Sequence, residues 1–280
     1  MSPALAAADA YCWHLACRHY ENFTVASRLL PSGLRRHLAR VYAYCRTTDD
    51  LGDERGEGAR GALERWRADV QELFAGGQPL HPVLCALRET VAAHGLPAQP
   101  FLDLIQANLQ DQEVSSYRTW PELRAYCVLS AAPVGRLVLR LFGLTAPEAE
   151  RLSDDVCIGL QLANFAQDVS VDARKGRSYL LEPELASGGV AGAVRAHCER
   201  ARALLGSGRE LEAMAPWPLR LQLALYRLGG MAILDAIERA GYRTDRHRPR
   251  VGGAARALVL ARAVADSLAR GHHGRGLEAA

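Results

Sequence analysis

The chain has 280 residues, a formal net charge of +3 and 49% hydrophobic residues, and Lys175 is its single lysine. That length can bury a substantial core, and the near-neutral balance gives no electrostatic case for a nucleic-acid partner. Seven cysteines without a Cys-x-x-Cys pair fit reduced, buried thiols in a reducing compartment.

Apolar residues recur at steps of three and four almost throughout, and Pro and Gly cut the chain into helix-length pieces, so an all-α fold is expected. Met1 to Ala10 lacks the basic start of a secretory signal. A helix over 9–20 carries Cys12-x-His14-x-x-Cys17-x-His19, metal-ligating types at a spacing that fits no familiar zinc module, and reads as a packing helix. After Pro31-Ser32-Gly33, a helix over 34–51 leads into Asp49-Asp50-Leu51-Gly52-Asp53-Glu54. Asp49 and Asp53 share a helix face. Like charges at that spacing cost a few tenths of a kcal/mol, and the helix C-terminus disfavours them by roughly 0.3–1 kcal/mol. These acids therefore either open a solvated loop at Gly52 or serve a cation.

Helices over 59–75, 81–93 and 98–114 follow, divided by Gly76-Gly77-Gln78-Pro79 and Gly95-Leu96-Pro97. The next, over 120–142, contains Pro133, which marks either a boundary between two helices or a kink lining a pocket. A helix over 147–172 carries Gln161, Asn164, Asp168 and Asp172 as one polar file between the apolar Leu160, Leu162, Phe165 and Val169. A buried, unpaired carboxylate is prohibitively costly, so the file faces solvent or a polar cavity. Arg174, Lys175 and Arg177 follow it. Helices over 191–213, 218–241 and 253–270 end the pattern, after breaks at Gly188-Gly189 and Pro216-Trp217-Pro218; residues 271–280, with His272-His273, are expected to fray. In the last helix Leu258, Leu260, Val264 and Leu268 are interrupted by Arg256, Arg262 and Arg270, a pattern open to core packing or to peripheral membrane contact. No run is long enough to span a bilayer, so the chain reads as cytoplasmic, soluble or peripheral to the inner membrane face.

Two acidic stripes facing each other would hold Mg²⁺, which takes oxygen ligands and keeps several waters. Arginine and lysine forks beside them would take the oxygens of a diphosphate left uncovered. No Gly-x-Gly-x-x-Gly follows a strand, so nothing suggests a dinucleotide fold.

The pair Tyr42-x-x-x-Arg46-x-x-Asp49-Asp50-x-x-Asp53 and Gln161-x-x-Asn164-x-x-x-Asp168-x-x-x-Asp172-x-x-x-Gly176-Arg177-x-Tyr179-Leu180 resembles the squalene/phytoene synthase family, over about Tyr11 to Tyr242. The resemblance implies an all-α, single-domain isoprenoid-synthase bundle over 1–280 around a central cavity. It also implies Mg²⁺-dependent chemistry on prenyl diphosphates. Tyr11-Cys12-Trp13-His14-Leu15-Ala16, His19-Tyr20-Glu21-Asn22-Phe23 and Pro133-Val134-Gly135-Arg136 look like the branch of bacterial hopanoid-pathway hydroxysqualene synthases. Many condensing relatives carry His-Ser-x-Ser-Phe in the second region, and many carry Arg where this chain has Gln167. Both departures remove diphosphate-binding capacity, as a one-diphosphate substrate would permit. Ala132 stands where the branch is expected to carry Asn.

On this resemblance, Asp49, Asp53, Asn164, Asp168 and Asp172 hold Mg²⁺. Arg46, Lys175 and Arg177 bind diphosphate, with His19 nearby. Tyr42, Gln161 and Tyr179 shape the cavity or position water, and Phe23 and Phe165 are apolar wall or core. The expected reaction takes presqualene diphosphate and water to hydroxysqualene and diphosphate. Condensation of two prenyl diphosphates, such as farnesyl diphosphate, is the rival, and a non-catalytic helical scaffold is the alternative outside enzymology.

Overall fold

Among the described residues the three- and four-residue apolar spacing folds into thirteen α-helices, and β pairing is limited to one isolated parallel bridge between Tyr117 and Leu181. This computed structural model describes residues 3–19, 30–53 and 57–271. The helices are α1 (Pro3–His19), α2 (Ser32–Asp53), α3 (Glu57–Phe74), α4 (Pro82–His94), α5 (Gln99–Glu113), α6 (Trp120–Ser130) and α7 (Ala132–Leu141). After them come α8 (Pro147–Gln167), α9 (Val169–Arg174), α10 (Glu182–Gly206), α11 (Gly208–Met214), α12 (Trp217–Arg239) and α13 (Gly253–Gly271). Among the described residues no helix is long and apolar enough to cross a membrane. Two compact units form, one of Met1–Glu113 with Pro133–Thr145, the other of Val114–Ala132 with Ala146–Ala280.

In the first unit the apolar faces of α2 to α5 close around Tyr44, Leu63, Leu84, Leu87, Phe101 and Ile105, all fully buried. Cys12 packs into this core while Cys17 is exposed, so the two thiols of α1 face apart. A buried fork ties α1 to α2: Arg40 donates from Nε to Asp9 Oδ1 at 2.7 Å and from Nη2 to Asp9 Oδ2 at 2.9 Å. Arg40 Nη1 also donates to Thr90 Oγ1 at 3.3 Å, and the Thr90 hydroxyl lies 2.9 Å from His37 Nδ1. This lets the hydroxyl donate to an unprotonated imidazole.

Burial first, then the positive fields of His94, Arg40 and Arg36, hold the His37 pKa down to about 4. The unfolded chain binds this proton near the usual histidine value of about 6.5. As pH falls from about 6.5 towards 4, the unfolded state is therefore protonated first and stability is lost; below 4 the loss levels off. Urea unfolding midpoints measured across that window should fall less steeply for His37→Gln than for the parent chain. Equal slopes would remove His37 from the pH response.

In the second unit α8 packs against α6, α10, α11 and α12, and Leu152, Ile158, Leu162, Leu205, Leu219 and Leu234 are buried. Helix α6 starts at a capping box: Thr119 Oγ1 accepts from the Glu122 N–H, and Glu122 accepts from the Thr119 N–H at 3.2 Å. The helix expected over 120–142 is two helices, because α6 ends at Ser130, Ala131 leaves helical geometry at φ −121°, and α7 opens with Pro133 in its first turn. Pro133 thus marks a boundary. The helix expected to run to 172 stops at Gln167, since Asp168 (φ −101°, ψ 16°) interrupts it before the short α9. Helix α10 begins at Glu182, earlier than the expected 191, and the Gly188-Gly189 break lies inside it, at Gly189 (φ 60°, ψ −169°).

Candidate active site

Helix α2 carries the first acid file. Its core side is fixed by Tyr44, whose hydroxyl donates to the Phe101 carbonyl at 2.8 Å, and by Thr48, whose Oγ1 accepts from Trp66 Nε1 at 2.9 Å. Tyr44 and Thr48 are one turn apart and fully buried, which rotates Tyr42, Arg46, Asp49 and Asp53 onto another face, at steps of three and four. The last turn of α2 lies tight against α5. A Cβ on Gly52 would come 2.0 Å from Asn108 Oδ1, and Gln112 Nε2 donates to the Gly52 carbonyl at 3.0 Å. A side chain at this position would have to displace Asn108.

Asn108 Nδ2 contacts Asp49 Oδ1 at 3.4 Å. Asp49 is reached by solvent, yet it is closely surrounded by protein. That desolvation, reinforced by Asp53 and Asp50 and only partly offset by Asn108 and Arg46, raises its pKa to about 6. The carboxylate is thus electrostatically short of positive charge. Arg46 gives Nη2 to Asp50 at 2.5 Å, while its buried Nε has no hydrogen-bond partner among the described residues. A donor left over beside a carboxylate short of cations suits a ligand that brings oxygens and a metal together.

The second file belongs to the other unit. Gln161 and Asn164 lie on α8 away from the buried Leu162 and Ala166, with the buried Phe165 one turn after Gln161. Asp168 stands at the junction of α8 and α9, and Asp172 on α9, so the file crosses a helix break instead of following one continuous helix. The spacing survives because the Asp168 N–H still donates to the Asn164 carbonyl at 2.8 Å and the Asp172 N–H to the Asp168 carbonyl at 2.9 Å. Helix α9 closes in a Schellman turn: Gly176, at φ 66°, donates to Ala173, and the Arg177 N–H donates to the Asp172 carbonyl at 2.9 Å. The turn returns the Arg177 backbone to that of Asp172. Beyond it, Ser178 N–H donates to the Ser115 carbonyl and Glu182 N–H to that of Tyr117. This extended stretch sets Tyr179 face to face on Phe165, ring centroids 3.9 Å apart, with Tyr117 and Tyr126 completing an aromatic cluster. His197 Nε2 is 2.9 Å from the Tyr179 carbonyl and holds the segment from beneath.

Arg248 is the partner that sequence reasoning missed. Its guanidinium forks onto Asp168, with Nη2 donating to Oδ2 at 3.0 Å and Nε to Oδ1. Nη2 also reaches Gln167 Oε1 at 3.3 Å, and Gln167 Nε2 donates to the Pro249 carbonyl at 2.7 Å. Asn108 and Gln112 were missed as well. Their one-turn spacing was a usable signal, though it matches any polar helix face. The His19 side chain and Phe23 lie outside the described residues, as do Tyr20, Glu21 and Asn22.

Among the described residues no three His, Cys, Asp or Glu side chains converge as a metal cage. Mg²⁺ commonly takes one or two protein carboxylates and completes its shell with water and substrate phosphates. The paired acids, the raised Asp49 carboxyl and the unspent Arg46 Nε fit a metal that arrives with a diphosphate.

A family model for squalene/phytoene synthase matches residues 16–254. The crystal structure of squalene synthase HpnC from Alicyclobacillus acidocaldarius is 43% identical, with a TM-score of 0.80 over 86% of this chain and 97% of that one. A dehydrosqualene synthase solved with ligand is 20% identical with a TM-score of 0.85, over 93% of this chain and 96% of that one, a likeness of fold alone. The chloroplastic phytoene synthase 2 of Solanum lycopersicum is 31% identical over 284 residues, 92% of this chain and 90% of that one.

Proposed function

Since the chain belongs to the squalene/phytoene synthase family, with its helical isoprenoid-synthase fold, we propose that it converts presqualene diphosphate and water to hydroxysqualene and diphosphate. The observation that carries this choice is Gln167. It is 7% exposed, and both ends of its amide are spent on Arg248 and the Pro249 carbonyl. It is neutral and turned to its own chain, so it adds no cation for a second diphosphate. The 43% identity to squalene synthase HpnC supports the squalene side of the family.

In this reading Asp49, Asp53, Asn164, Asp168 and Asp172 hold Mg²⁺, directly or through water. When bound, the metal supplies positive charge to the leaving diphosphate oxygens. Arg46, through its unspent Nε, and Lys175 and Arg177 donate to the same oxygens. Charge grows there as the carbon–oxygen bond breaks and its electron pair leaves with the diphosphate, so fixed donors favour the transition state over the ground state. The cyclopropylcarbinyl cation rearranges against apolar wall that includes Phe165. Water then adds its oxygen to the cation and loses a proton. Tyr42, Gln161 and Tyr179 orient that water, and His19 and Phe23 contribute to substrate binding.

The phytoene synthase relatives, 31% identical over 92% of this chain, favour a second reading: condensation of two prenyl diphosphates. Purified protein with Mg²⁺ should consume presqualene diphosphate supplied alone and leave farnesyl diphosphate untouched. Consumption of farnesyl diphosphate only would decide for condensation.

A further inference from the structure

We propose that His197 is a positioning residue for the choice of product: its imidazole holds the Tyr179 backbone so that the Tyr179 ring keeps the place from which it orients the capturing water. The inference rests on the water-capture reading above. Tyr179 lies in the non-helical stretch between α9 and α10. Ser178 N–H donates to the Ser115 carbonyl at 2.8 Å and Glu182 N–H to the Tyr117 carbonyl at 3.0 Å. Two bonds in line along the stretch resist its sliding more than its rotation, and rotation is what would swing the Tyr179 ring. His197 supplies a third point from α10. Its Nε2 lies 2.9 Å from the Tyr179 carbonyl, and because a carbonyl oxygen only accepts, Nε2 carries the proton.

The ring has little tolerance for such a swing. Tyr179 and Phe165 are stacked with their planes 7° apart and their centroids at 3.9 Å, and Tyr126 and Tyr117 follow at 5.5 and 6.0 Å. Aromatic stacking is a weak attraction that tolerates offset geometries, so the cluster alone does not fix where the ring stands. A buried imidazole carries a desolvation cost that an aliphatic side chain would avoid, and His197 is fully buried. The hydrogen bond to Tyr179 is what the imidazole provides in return. The imidazole is itself braced. Nδ1 lies 3.2 Å from the Ala193 carbonyl, one turn earlier on α10, and 3.7 Å from Glu184 Oε2. Arg200 forks onto that carboxylate, with Nη1 donating to Oε2 at 3.1 Å and Nη2 to Oε1. His197 thus acts through the Tyr179 backbone and not on the substrate.

Three variants of the full chain test this. His197→Gln keeps an N–H donor at about the reach of Nε2, and His197→Leu removes it. His197→Asn, whose amide is too short for the Tyr179 carbonyl, takes the place of the leucine variant if that one does not fold. The face of Phe165 shifts the Tyr179 ring protons upfield in NMR spectra, where Tyr179→Phe assigns them. In the leucine or asparagine variant that shift should shrink by at least about half, and in His197→Gln it should persist. With Mg²⁺ and presqualene diphosphate, the alcohol share of the product should fall at least about tenfold in the same variants. The remainder should be hydrocarbon, formed when the cation loses a proton in place of gaining water. KM should stay within about twofold, and His197→Gln should restore the alcohol. An upfield shift that survives the loss of the donor overturns the proposal. So does an unchanged product ratio in a variant whose ring has moved, since that leaves His197 with a structural role only. A parent that makes no alcohol fails the water-capture reading instead, and the ring shift then decides by itself whether His197 holds Tyr179.

Discussion

Asp168→Asn should lower kcat/KM for the prenyl diphosphate by about a hundred- to a thousandfold and leave the unfolding midpoint almost unchanged. The substitution keeps the shape of the side chain and one acceptor oxygen for Arg248. It removes the negative charge that a metal–diphosphate complex would meet. The stability effect is small because the Arg248–Asp168 fork is partly exposed, with Arg248 44% and Asp168 23% accessible, and exposed pairs contribute about 0–1 kcal/mol. Activity within about threefold of the parent would remove Asp168 from the catalytic machinery, and would also strengthen a reading of the chain as a helical scaffold that keeps the fold without the reaction.

Glu212→Ala should have the opposite signature, unfolding the second unit more easily by about 3–5 kcal/mol. Glu212 on α11 is 1% exposed and Arg227 on α12 is 3% exposed. Arg227 donates Nε to Oε1 at 2.6 Å and Nη2 to Oε2 at 3.1 Å. Truncating Glu212 leaves a buried guanidinium with Asp266, at 3.5 Å, as its remaining carboxylate. The cost is that of an uncompensated buried charge, so removing both partners should restore much of the loss: Glu212→Leu/Arg227→Met should be more stable than Glu212→Ala. Denaturant unfolding of the two variants checks the order, and a double variant no better than the single one would assign the loss to packing.

The helical architecture was legible in the sequence because Pro and Gly fall where helices must end and apolar residues repeat at helical steps. What the repeat could not show was a break without a breaker. Nothing in Gln167-Asp168-Val169 announces one, and the i, i+4 hydrogen bonds around Asp168 persist across it, so the acids kept the spacing of a continuous helix. Pro133 was recognisable as a discontinuity. Its role as a boundary depends on Ala131, whose backbone departs from helix just before it.

The candidate site residues divide the same way. Asp49, Asp53, Asn164, Asp168 and Asp172 stood out because a local pattern carries them. Arg248 is 80 residues from Asp168 and one of many arginines, so only the fold could pair them. Asn108 was hidden for a related reason: its contact with Asp49 depends on how closely Gly52 lets α5 approach. Gln167 was legible as a lost cation. That its amide anchors Arg248 and Pro249 required the structure.

In the proposed reaction water, and neither hydride nor a second prenyl chain, completes the turnover. Purified protein, Mg²⁺ and presqualene diphosphate in heavy-oxygen water test it directly by mass spectrometry of the product. The expected product is one alcohol, hydroxysqualene, carrying a single heavy oxygen for each diphosphate released. A hydrocarbon product without label, or presqualene diphosphate left intact while farnesyl diphosphate is consumed, would contradict it.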